Sequence, residues 1–160
     1  MRNAIALIVL GLLTGCVSVR DVTGDPNYSH CQGDYVRSAC YRLSQPAAIG
    51  EFRPHGALPI FSPTPRFELF PVGGRDQNSG NVAVGTRLRF KSVLYHDYFE
   101  NTTVIPVAEV LEGPWAGRRV GIADISRHDS ALLEQRYNDQ YFRDPAWLAS
   151  CDAPDKSGTR

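Results

Sequence analysis

The stretch Thr86 to Tyr95 (TRLRFKSVLY) decides the fold class. On an extended chain, Leu88, Phe90 and Leu94 fall on one side, and Arg87, Arg89 and Lys91 on the other. Side chains alternate across a strand with a period of two, so this is an antiparallel strand with one face buried and one in water. Its neighbours show the same habit. Tyr35 to Leu43 places Tyr35, Ala39, Tyr41 and Leu43 on one face, with Arg37 interrupting it. Arg66 to Val72 (RFELFPV) alternates Phe67, Leu69 and Pro71 against Glu68 and Phe70. Thr103 to Leu111 (TVIPVAEVL) is apolar on both faces, and its Pro106, which lacks a ladder donor, predicts an edge or a bulge. Arg118 to Ile125 is a further strand, joined to the previous one by the turn Glu112 to Gly117 (EGPWAG) as a hairpin. Gly73-Gly74 and Asn78-Ser79-Gly80 mark a loop over residues 73–80.

Helix signals come only near the end. Asp129-Ser130 can cap a helix reaching about Tyr141, with Leu132, Leu133, Tyr137 and Tyr141 near one face. Asp144-Pro145 then opens a short turn carrying Trp147 and Leu148. Short strands followed by a small helical tail predict a mainly β fold, a compact antiparallel barrel or curled sheet with a short C-terminal helical segment. The strand starts Gly85-Thr86-Arg87-Leu88 and Gly117-Arg118-Arg119-Val120 loosely resemble the small Src-homology-3-like barrels of bacterial envelope proteins.

The chain has 160 residues, 42% of them apolar, with 17 basic side chains against 17 acidic. That suits one globular domain, expected over residues 34–155 with a disordered tail at 156–160. The charge balance argues against a protein that grips nucleic acid by bulk electrostatics.

The first residues carry the clearest address. Arg2 gives a positive start, and Ala4 to Leu13 (AIALIVLGLL) is an uncharged apolar run. Ten residues make roughly 15 Å of helix, about half of a hydrocarbon core, so this is a secretory signal and not a span. The run ends in Leu13-Thr14-Gly15-Cys16, which resembles the lipobox of bacterial lipoproteins. The resemblance implies cleavage between Gly15 and Cys16, a diacylglyceryl group on the Cys16 thiol and an acyl chain on its new amino group. It covers only residues 1–16. Val17 stands where the inner-membrane retention signal of many enterobacterial lipoproteins has Asp, which implies the outer membrane, facing the periplasm. Residues 17–33 are polar and turn-rich, and predict a flexible tether.

Cys31, Cys40 and Cys151 remain. An exported domain sits where disulfides persist, and three thiols allow one bridge. A bridge from Cys151 closes a longer loop than Cys31–Cys40 would. Cys31 is the favoured partner and Cys40 the alternative. No metal site is expected: His30, Cys31, Cys40, His55, His96, Asp97 and His128 lack zinc-type spacing.

No catalytic residue is assigned. Ser126, His128 and Asp129 are near each other in sequence, but triads are defined by geometry, and these three suit the polar entry to a helix. Cys40 and Cys151 lack the helix-start context of a nucleophile. Glu100, Glu109, Glu112 and Asp124 suit solvated strand ends better than a glycosidase pair. The binding candidates are the cationic row Arg87, Arg89 and Lys91, continued by Arg118 and Arg119, and the turn residue Trp115. Trp115 either anchors an interface or folds back over the end of the barrel. The row suits phosphates on lipid headgroups, or acidic groups on a wall polymer or partner. The expected protein is a non-catalytic envelope lipoprotein that binds a protein, as an accessory or a periplasmic inhibitor or immunity factor, or peptidoglycan. The alternative is a small envelope hydrolase acting on peptidoglycan or a glycan.

Overall fold

The computed structural model describes residues 17–52, 66–72, 80–98, 101–128 and 141–152. The chain folds as a mainly β protein, and no helix among these residues exceeds one short turn. The strands are β1 (Val17–Asp21), β2 (Cys40–Leu43), β3 (Ala47–Phe52), β4 (Arg66–Pro71), β5 (Gly80–Val82), β6 (Arg87–Tyr98), β7 (Asn101–Val110), β8 (Arg119–Gly121), β9 (Ser126–His128), β10 (Tyr141–Arg143) and β11 (Leu148–Ser150). Nine of them form one curled, open sheet in the order β11-β2-β6-β7-β8-β4-β3-β5, with β1 also on β6. β9 and β10 form a separate antiparallel pair. Every pairing is antiparallel except the short β4–β8 contact, where Glu68 lies beside Gly121.

The sheet is organised around β6. Its 12 residues pair with β7 along one edge. The other edge is shared: β2 covers Arg87 to Arg89, and β1 covers Leu94 to Tyr98. Bonds from Ser38 N–H to the Phe90 carbonyl (2.9 Å) and from Val22 N–H to the Val93 carbonyl (3.0 Å) close the gap between them. A buried strand cannot leave that many backbone groups unpaired, and this need corrects the expected tether over residues 17–33. Five of its residues are strand β1, Val22 is only 2% exposed, and Pro26–Tyr28 and Ser29–Gln32 form two short helical turns.

Leu88 and Phe90 are fully buried, as the alternation requires. Beyond them the register with β7 shifts between Phe90 and Ser92, a β-bulge at Lys91. One extra residue moves the following side chains to the opposite face. Val93 therefore enters the core at 1% exposure, and Leu94, expected there, is half-buried. The bulge implied by Pro106 thus lies in the partner strand. Pro106 itself is in the middle of the sheet, not at an edge, paired to β6 while β8 lies on its other side. Its carbonyl accepts from Ile122 N–H just past the end of β8, so its missing donor faces that side and the β6–β7 ladder loses nothing.

The core lies on the inner face of the sheet. Leu43, Ile49, Leu69, Leu88, Phe90, Val110, Ile122 and Leu148 are at or below 1% exposure. Tyr35 stacks on Phe90 at 4.9 Å and meets Tyr41 edge-on at 5.9 Å. Its hydroxyl pairs with Ser126, which in turn donates to the Ile122 carbonyl. Burial raises the pKa of both Tyr35 and Tyr41, so their rings stay neutral.

The chain end differs from expectation in two places. Residues 129–140, which carry nearly all of the expected helix, lie outside the described residues, and Tyr141 begins strand β10. Ser126 to His128 form β9 and not a helix entry. The expected β7–β8 hairpin is present. The disulfide joins Cys40 to Cys151 with Cα atoms 5.4 Å apart, not Cys31 to Cys151. β11 pairs antiparallel with β2, which brings the end of one to the start of the other, and Cys151 N–H donates to the Cys40 carbonyl. Cys31 is buried in the one-turn helix and lies outside the bridge.

Candidate functional site

The outer face of β6, β7 and β8 carries the charge. Cross-strand register aligns Arg89 of β6, Glu109 of β7 and Arg119 of β8 in one row. Two residues along β6 from Arg89, Arg42 of β2 faces Arg87. Lys91, at the bulge, reaches Glu109 with Nζ 2.9 Å from Oε2. Hydrogen bonding and charge from Lys91, then the fields of Arg89 and Arg119, hold the Glu109 carboxyl below the usual glutamate range. It is therefore ionised at neutral pH.

The cations are not equivalent. Arg87 is bound to Glu112: its Nε and Nη2 lie 3.1 and 3.0 Å from Oε2, and its backbone N–H donates to Oε1 at 2.8 Å. That grip lowers the Glu112 pKa as well. Arg118 leaves the row. It lies over the Phe67 ring, 4.2 Å from the centroid, because neighbouring residues on a strand point to opposite faces. Arg89 and Arg119 make no side-chain hydrogen bond or ion pair among the described residues, and both are exposed.

Beside this row is a polar cleft of about 260 Å³, lined by Asp21, Arg37, Ser38, Lys91, Ser92 and Arg119. Arg37 pairs with Asp21 across it at 3.3 Å. Ser38 adopts φ +67°, the left-handed region that side chains other than glycine enter at a cost. Its N–H is thereby delivered to Phe90, the last residue before the bulge. Bulges commonly re-aim side chains at sites, and here the re-aimed side chain is a cation.

Trp115 takes the second of its two expected positions. It lies in a helical turn, Gly113–Trp115, of the β7–β8 connection and folds back over Gly80. A Cβ at Gly80 would lie 2.1 Å from its ring, so only glycine allows this approach. Nε1 donates to the Asn81 carbonyl at 3.3 Å. The ring walls an apolar groove of about 500 Å³ with Pro46, Val72, Val82 and Pro114.

The structure thus brings together Arg89, Lys91 and Arg119 around Glu109, and keeps Arg118 and Trp115 apart from them. Sequence reasoning missed Arg37, Arg42, Asp21, Ser38 and Ser92. Arg42 was legible as the outward residue between Tyr41 and Leu43, but not its placement beside Arg87. Ser126 is engaged with Tyr35 and Ile122, and His55 and Asp129 lie outside the described residues. Among the described residues, no three His, Cys, Asp or Glu side chains are grouped to hold a metal ion. No helix there is long and apolar enough to cross a membrane. No family model, curated protein or solved structure matches this chain.

Proposed function

We propose that this chain is a non-catalytic lipoprotein of the bacterial envelope, anchored through acylated Cys16 to the outer membrane and facing the periplasm. Its outer sheet face captures an acidic protein partner, as an accessory or as an inhibitor. The supporting observation is the pair Arg89 and Arg119, exposed, without a side-chain hydrogen bond or ion pair among the described residues, and flanking the single carboxylate of Glu109. Arginine forks match carboxylates in a bidentate manner. Two strand spacings separate the pair, roughly 10 Å, so the matching partner presents two acidic groups at that spacing. The export signal makes nucleic acid an unsuitable partner for such a face.

The test is a crosslinked pull-down from intact cells, comparing the native chain with Arg89→Glu/Arg119→Glu. The double reversal should lower capture of the partner at least tenfold, and capture by the native chain should weaken as salt rises. Equal capture by both at every salt concentration would remove the face from the account. Retention on purified sacculi with no protein partner would transfer the reading to peptidoglycan, and turnover of sacculi would overturn the non-catalytic assignment. In the same cells Cys16→Ser should release the protein from membranes. Unchanged fractionation would refute the anchor.

A further inference from the structure

The position of β1 has a consequence for how the domain sits on its membrane, and it rests on the lipid reading of Cys16. Val17, the first residue after Cys16, is already paired in the sheet, opposite Tyr98. The pairing continues without a break through Ser18, Val19, Arg20 and Asp21 to Leu94. Val22 follows, buried and bonded to Val93, and Thr23 Oγ1 accepts from Val93 N–H at 2.7 Å. The next turns are tied down too. Gly24 N–H donates to Gln32, Arg20 reaches the Tyr28 hydroxyl, and the Tyr28 ring meets Tyr95 edge-on at 5.0 Å. Among the described residues, the chain is thus tied to the fold from Val17 onward.

We infer that the end of the sheet formed by the start of β1 and the end of β6 is a membrane-contacting surface whose partner is the anchoring bilayer itself. A flexible 17-residue tether would have a reach of roughly 20–25 Å and would let the domain swing. Here that reach is absent. The headgroup layer on each side of a bilayer is about 5–8 Å thick. Three strand residues span about 10 Å, so Val17 to Val19 lie at that layer when the acyl chains are inserted. Val19 is 54% exposed on a strand edge that pairs with no other described strand, an apolar side chain suited to such contact. The same geometry places Arg89 nine residues along β6 from Tyr98, roughly 30 Å from the anchored end. The cationic row is thereby carried to the far end of the domain, where it meets a component other than the headgroups beside the anchor.

The test uses the full lipidated protein in 3:1 phosphatidylethanolamine/phosphatidylglycerol vesicles whose acyl chains are brominated near the headgroup. Val19→Trp should lose at least half of its added emission in brominated against unbrominated vesicles. The native Trp115 and Trp147 emission should be unchanged. Inserting twelve Gly/Ser residues between Cys16 and Val17 should restore the emission while the protein stays on the vesicles. Vesicle-bound Val19→Trp without quenching would overturn the inference and leave the anchor standing. Equal quenching with and without the insert would also overturn it, since the added tryptophan alone would then account for contact. Failure to bind vesicles at all would refute the acylation and this inference with it. In soluble Cys16→Ser protein, amide exchange should show the β6-facing amides of β1 protected, and free exchange there would sink the rigid attachment.

Discussion

Phe90→Ala is expected to destabilise the domain by about 3–5 kcal/mol, the usual cost of removing a fully buried aromatic side chain. Phe90 is 0% exposed, stacked on Tyr35 and paired across the sheet with Ala108. The small partner leaves no side chain to fill the space, so the cavity should persist. Its backbone is equally engaged: its N–H donates to Ala39 and its carbonyl accepts from Ser38. The segment leading into β2 is therefore tied to β6 at this residue, while the segment after β1 is tied further along, at Val93. The loss should appear in urea unfolding as a lower midpoint at unchanged slope. Phe90→Leu, which keeps most of the volume, should cost about 1.5 kcal/mol or less. An unchanged midpoint in Phe90→Ala would mean that the ring is not a core residue.

Breaking the Cys40–Cys151 bridge should cost about 2–5 kcal/mol. The two cysteines are 111 residues apart, and in the chain-entropy model a loop near that length restricts the unfolded chain by roughly 4.7 kcal/mol. The native side of the balance points the same way. β11 has three residues and lies at the end of the sheet, yet it carries fully buried Leu148. Without the covalent tie, fraying of that strand would expose the core. Reductant, or Cys40→Ser, should lower the unfolding midpoint by similar amounts. Cys31→Ser, despite its own packing cost, should keep the response to reductant. If Cys31→Ser abolished that response, the bridge would use Cys31 and the Cys40–Cys151 pairing would be wrong.

The contrast between the two cysteines shows where local pattern stops. Which thiol meets Cys151 depends on β11 pairing with β2, a contact over 100 residues of chain that no local spacing encodes. The bulge at Lys91 is similar. A bulge belongs to a pair of strands, and nothing within TRLRFKSVLY marks the residue at which its alternation reverses. Arg118 and Arg119 were both plausible members of the cationic row. Alternation dictates that one of them leaves it, but the register against Glu109 chooses which. The segment after Cys16 was misread because its polar, turn-rich composition resembles a tether, and only the unpaired edge of β6 explains its order.

The period of two in the residues around Phe90, with Gly and Pro between such runs, was enough to determine a mainly β protein and the β7–β8 hairpin, because alternation and turn chemistry act over a few residues. Tertiary structure alone decided which strands lie side by side, which cysteine closes the bridge and which cations gather at Glu109. Those choices rest on backbone hydrogen bonds and burial between segments far apart in the chain, which are formed only when the whole sheet is assembled.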